Sequence, residues 1–132
     1  IYCVKKFGIE THAIDINENK IKTSLFTINN NNVEVRAFKS NLFENINDND
    51  YDLIFWNLPY YEEKEKYLVP LIKQAHNYLS KDGSMMLGYN TSPLKKNDVK
   101  NLVDNNKLLL YQKDVSFSWN KHLISIIKKN IS

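Results

Sequence analysis

Sulfur chemistry is all but missing from this chain: Cys3 is the single cysteine among 132 residues, which excludes an internal disulfide and a cysteine-based metal cluster. A reducing, cytoplasmic setting is the expectation that follows. Histidine is scarce as well, and His12, His76 and His122 are too scattered for metal-ligand spacing, so no metal is expected. Glycine occurs three times, at Gly8, Gly83 and Gly88, which leaves no glycine-rich cofactor loop within these residues. No apolar run approaches the roughly 18 residues of a membrane span, and no leader of the secretory type opens the sequence, so a soluble protein without membrane association is expected. Charge of one sign is modest too. A net charge of +3 and a pI near 8.8 suit an RNA, DNA or acidic partner, but they lack the dense basic patches that mark nucleic-acid binding by themselves.

The length fits one compact domain over 1–132 with one hydrophobic nucleus. Ile1 to Gly8 reads as the second half of an amphipathic helix stopped by a C-terminal glycine, with further chain expected before it. Ile9 to Ile16 reads as a short strand, and Asn17 as the N-cap of a helix whose stripe is Ile21, Leu25 and Ile28. Asn29 to Asn32 end that helix. Val33 to Phe38 alternates with period two, as a strand does, and a loop over Ser40 to Phe43 and a polar linker follow. Asp52 to Trp56 is a continuous apolar run after one acid, the pattern of a strand covered on both faces. Glu62 to Leu79 carries the longest helical period, Lys81 to Gly83 reads as a turn, and Ser84 to Tyr89 as another buried strand. A helix from about Lys95 to Val103 precedes two strands, Leu108 to Phe117 and His122 to Lys128, joined by the short link Ser118 to Lys121. This alternation predicts an α/β fold: a doubly wound, mostly parallel sheet with a C-terminal antiparallel hairpin.

Ligands on such sheets bind beyond the carboxyl ends of the strands, where Asp15, Asn41 and Asn57 fall. A carboxylate at a strand end can accept both hydroxyls of a ribose, which suits Asp15; it would equally serve as a helix-entry residue bonding the next amides. Asn41 would bond the edge of an adenine or simply form a turn. The tetrapeptide Asn57-Leu58-Pro59-Tyr60 is richer. Asn57 brings one carbonyl and one NH2, Pro59 removes a backbone donor and stiffens the turn, and Tyr60 adds a ring for stacking. A planar NH2 group needs two in-plane acceptors and a flat apolar surface, and these four residues supply all of them. The alternative is an ordinary Pro-Tyr turn with Asn57 bonded to its own backbone.

Together these segments resemble the class I S-adenosylmethionine-dependent methyltransferases, whose fold is Rossmann-like. Ala13 to Asn17 resembles their ribose-binding strand end and Ser40 to Phe43 their adenine-contacting segment. Tyr51 to Tyr60 resembles their fourth motif, and Leu79 to Leu87 the helix-turn-strand that follows. The resemblance implies S-adenosyl-L-methionine as cofactor, held by Asp15, Ile16, Asn41, Leu42 and Asn57. It also implies a catalytic set of Asn57, Leu58, Pro59 and Tyr60, with Leu58 acting through its backbone carbonyl. Asn/Asp-Pro-Pro-Tyr elements in this superfamily mark enzymes that methylate planar nitrogens, so the expected substrate is a nucleobase amine, in RNA foremost, or a protein glutamine amide. Transfer would be an in-line attack of that nitrogen on the sulfonium methyl, promoted by positioning. The family's first strand and glycine-rich loop have no counterpart here, and both are expected to lie upstream of Ile1. That absence keeps in view a non-catalytic methyltransferase-like module that binds RNA or a protein; a nicotinamide-dependent oxidoreductase is a third reading, since Asp15 would serve its ribose equally well.

Overall fold

A short helix stopped by a glycine opens the computed structural model, which describes residues 1–58, 64–111 and 122–130. Two compact units divide the chain, Ile1–Ile46 and Asn47–Ser132. In the first, α1 (Tyr2–Phe7) ends at Gly8, whose φ of 63° is left-handed and whose amide donates to the Val4 carbonyl. Strands β1 (His12–Asp15) and β2 (Arg36–Lys39) pair in parallel, from His12 with Arg36 to Asp15 with Lys39. Both are shorter than the alternation predicts: β1 begins only at His12, so residues Val33 to Val35 have no ladder to join. Helix α2 (Glu18–Asn30) starts where expected, because Oδ1 of Asn17 accepts the amides of Asn19 and Lys20 at 2.9 and 3.4 Å. Ile21 and Ile28 are buried, whereas Leu25 is 40% exposed, so the expected three-residue stripe is narrower. Leu25 projects about 60° around the helix from Ile28, beyond what a two-stranded sheet covers.

The second unit holds a four-stranded sheet in the order β3 (Tyr51–Asn57), β4 (Leu79–Asn90), β6 (His122–Lys129), β5 (Leu108–Tyr111). β3 and β4 are parallel, and β6 is antiparallel to both β4 and β5. The sheet is therefore mixed, with one reversed strand inserted at the C-terminal end as the sequence implied. It is not a strictly parallel doubly wound sheet, because β6 runs against both of its neighbours. Residues 112–121, including the Ser118 to Lys121 link, lie outside the described residues.

Helix α3 (Val69–Tyr78) is preceded by a π-helical turn over Lys64–Leu68, where the periodicity implied a continuous α-helix; Glu62 and Glu63, at the expected start, lie outside the described residues. Pro70 explains the wider turn: it has no amide to donate to the carbonyl four residues back, so the α-ladder cannot run through it. Lys81 to Gly83 do not form a separate turn. They are an excursion within β4, where Tyr51 pairs with Leu79 but Leu53 already pairs with Ser84.

Period two decides which side of this sheet is core. Met85, Leu87, Tyr89, Ser125 and Ile127 are buried on one face, and Leu71, Ile72 and Ala75 of α3 with Val99 and Val103 of α4 (Lys96–Asp104) complete the nucleus. The Ser125 hydroxyl donates to the Tyr89 hydroxyl at 3.3 Å, so this buried serine is satisfied. The other face is not covered as the apolar run Asp52 to Trp56 implied: Leu53 is 51% and Phe55 65% exposed. β3 is an edge strand of its sheet, and among the described elements α3 packs against β4 and α4 against β5. Trp56, on the covered side, is half-buried and meets Tyr67 edge-on at 6.4 Å.

Candidate functional site

In the first unit the carboxyl ends of two parallel strands stand side by side. The Ser40 amide donates to the Asp15 carbonyl at 3.1 Å, which carries the ladder one step past β2 and brings Asn41 next to the end of β1. Asp15, with a side chain 33% exposed, accepts the Asn17 amide on Oδ1 at 2.8 Å and holds Oδ2 3.8 Å from Nζ of Lys20. That is the helix-entry role weighed for it, and it uses only part of the carboxylate's acceptor capacity. Ile16 beside it is half-exposed, a short apolar surface at the same rim.

The segment after β2 is tied down by its own polar atoms. Ser40, almost fully buried, donates its hydroxyl to the Leu42 carbonyl at 2.7 Å and accepts the Asn45 amide at 3.1 Å. Leu42 is thereby held at a φ of 50°, a left-handed conformation uncommon for leucine. Nδ2 of Asn41 donates to Oε1 of Glu44 at 2.8 Å, a turn-forming contact that leaves the carboxamide oxygen as its acceptor atom.

In the second unit Asn57 ends β3 as an exposed residue paired with Gly88 of β4. The next amide, that of Leu58, donates to the Gly88 carbonyl at 2.8 Å, and the Leu58 side chain is buried. These two contacts anchor the chain at the point where it leaves the sheet. Pro59, Tyr60 and Tyr61 lie outside the described residues. Gly88 is the feature that sequence reading missed. A methyl group on its Cα would stand 2.5 Å from Oδ1 of Asn57, 3.4 Å from its Cγ and 3.1 Å from Nε2 of His122. His122, at the start of β6 and paired with Asn90, was read only as a scattered histidine. Nothing local in the sequence signals either residue, because strand register alone brings 57, 88 and 122 together.

A cleft of about 790 Å³ in the first unit, lined by Lys5, Glu10, Thr11, Glu34 and Arg36 among others, opens at the amino ends of β1 and β2. The polar strand ends lie at the opposite edge, so this cleft is separate from the candidate site. Among the described residues no cluster of His, Cys, Asp or Glu is suited to a metal ion, and no helix is long and apolar enough to cross a membrane.

Residues 2–115 match the family model described as methyltransferase small domain. The chain belongs to that family. As a methyltransferase small domain it also has the fold of solved methyltransferases. A methyltransferase from Pyrococcus furiosus superposes with a TM-score of 0.81 at 23% identity, covering 98% of this chain and 66% of its own. A ribosomal protein L11 methylase from Lactobacillus delbrueckii subsp. bulgaricus gives a TM-score of 0.75 at 17% identity, over 91% of this chain and 58% of its own. SMU.776, solved in complex with SAH, gives 0.70 at 15% identity, over 91% of this chain and 39% of its own. The chain thus spans between about two fifths and two thirds of the length of these structures.

Proposed function

We propose that this protein is an S-adenosylmethionine-dependent methyltransferase acting on a planar nitrogen: the exocyclic amine of a nucleobase, in RNA foremost, or a protein glutamine amide. The observation that carries this reading is Asn57, an exposed carboxamide at the carboxyl end of β3 whose strand is locked to β4 by the Leu58 amide on the Gly88 carbonyl. In this reading Oδ1 of Asn57 and the Leu58 carbonyl accept the two hydrogens of a flat NH2 group. They also stabilise the positive charge that grows on nitrogen as it is alkylated. Tyr60, after the rigid Pro59, stacks on the plane of the acceptor.

Asp15, Ile16, Asn41 and Leu42 would hold the nucleoside part of the cofactor, whose contribution is an electrophilic methyl group on a sulfonium. The chemistry of the donor set fits: a partly exposed carboxylate with acceptor capacity beyond its Asn17 contact suits a ribose diol, and a carboxamide one strand over suits an adenine edge. A cytoplasmic location agrees with the single, exposed cysteine Cys3.

A second reading has an observation of its own. Asp15 accepts the amide of the N-cap residue Asn17 and Asn41 bonds Glu44, which are structural roles that a non-catalytic module binding RNA or a protein would also use. Calorimetry with S-adenosylmethionine and with NAD separates the readings. Binding of the first alone, followed by transfer of radiolabelled methyl to total RNA, DNA or protein, supports the methyltransferase. Binding of neither refutes it in favour of the partner module.

A further inference from the structure

Three strands contribute to one small gap on the partly open face of the second unit's sheet. Asn57 on β3 pairs with Gly88 on β4, and Gly88 pairs in turn with Ile124 of β6, two residues beyond His122. In-register and alternate residues share a face, so Asn57, Gly88 and His122 all direct their Cα substituents to the same side. Where a side chain of residue 88 would begin, Oδ1 of Asn57 stands 2.5 Å away and Nε2 of His122 3.1 Å away. Real Cβ atoms are not found as close as 2.5 Å to an oxygen on a neighbouring strand, so this carboxamide position exists only because residue 88 is glycine. Its glycine is needed for space, not for backbone conformation.

We propose that Gly88 and His122 are positioning residues for Asn57. Gly88 leaves the gap into which the carboxamide lies, and the His122 imidazole bounds that gap from β6. The amide of Asn57 is thereby kept in one orientation at the strand end. This inference rests on the reading of Asn57 as the acceptor-holding residue. The gap is thus bounded from β3 by Oδ1 of Asn57 and from β6 by Nε2 of His122, with Gly88 of β4 between them. A misplacement of the order of 1 Å at such a site costs roughly 10²-fold in rate, which is the scale of shift that a methyl at residue 88 imposes.

The test combines activity with a readout that needs none. Gly88→Ala is expected to lower kcat by roughly 10²-fold while the S-adenosylmethionine Kd, by calorimetry, stays within about twofold. In an Asn57→Ala background the same change should lower kcat no further, since no carboxamide remains to be displaced. Independently, in ¹⁵N-histidine-labelled protein the ring nitrogens of His122, assigned with His122→Gln, should shift on Asn57→Ala while those of His12 and His76 do not. Should Gly88→Ala fail to fold, His122→Ala against His122→Gln decides, with the glutamine variant, which keeps a polar nitrogen at that reach, recovering most of the turnover lost in the alanine variant. The proposal is overturned by ring signals of His122 that ignore Asn57→Ala, by an undiminished kcat in Gly88→Ala, by equal losses in both backgrounds, or by equal losses in the two His122 variants. Lack of S-adenosylmethionine binding by the unmodified protein instead refutes the methyltransferase reading and the acceptor role with it, a result distinct from unmoved ring signals.

Discussion

Replacing Asp15 by asparagine is the sharpest probe of the proposed cofactor rim, because the two oxygens of that carboxylate have different partners. Oδ1 receives the Asn17 amide at 2.8 Å, and an asparagine oxygen can keep that bond. Oδ2, 3.8 Å from Nζ of Lys20, becomes an NH2 group, a donor where an acceptor stood. Stability should hardly change: Lys20 is 70% exposed, and surface ion pairs of this kind contribute about 0–1 kcal/mol. A ribose diol, by contrast, loses one of its two acceptors and the charge behind the other. Hydrogen bonds to charged groups contribute about 1.5–3 kcal/mol, so the S-adenosylmethionine Kd should rise by a factor of roughly 10 to 150. Titration calorimetry reads the Kd and a thermal melt reads stability, with Lys20→Ala as control for the ion pair alone. A Kd within threefold of the parent in Asp15→Asn, with an unchanged melting temperature, would refute the ribose assignment and leave Asp15 as a helix-entry residue only.

Other substitutions reach the remaining parts of the argument. Asn57→Ala should cut turnover by two orders of magnitude or about that, while S-adenosylmethionine affinity stays within about twofold, as single-turnover assays and calorimetry will show. Asn17→Ala removes the acceptor of the Asn19 and Lys20 amides and should cost about 1 kcal/mol in urea melts. Leu87→Ala empties a fully buried site in the centre of β4 and should cost about 2–5 kcal/mol in the same experiment. Phe55→Ala, on the exposed face of β3, should cost much less than Leu87→Ala; equal losses would contradict the assignment of the two sheet faces.

Which elements were legible in the sequence depends on the range over which each signal acts. Helix α2 was legible because Asn17 and the spacing of Ile21 and Ile28 act within two turns, and its N-cap bonds are those expected. The ends of β1 and β2 were less so: a ladder begins where both partners are extended, which neither strand encodes alone. Pro70 was in plain view, yet its consequence, a π-turn before α3, depends on how the chain compensates for one missing amide. The run Asp52 to Trp56 misled for a related reason. Apolar composition tells that a strand can be covered on two faces, whereas the exposure of Leu53 and Phe55 depends on which elements pack against each side of the sheet.

The candidate site follows the same division. Asn57 could be singled out as a candidate because four consecutive residues concentrate its chemistry, and Asp15 because a strand end and a helix cap meet within three. Gly88 and His122 could not be found this way. Glycine at a strand position usually reads as a weakness, and only the register of β3 against β4 turns residue 88 into a place where a side chain would strike the Asn57 carboxamide. A one-residue slip in that register would place Tyr89 or Leu87 opposite Asn57, side chains that the structure buries on the far face, and the gap would close. The core that fixes the register, Met85, Leu87 and Tyr89 of the strand that α3 covers, is therefore also what keeps the polar end of β3 open, so packing far from the candidate site and the geometry at that site are one constraint read from two sides of the same strand.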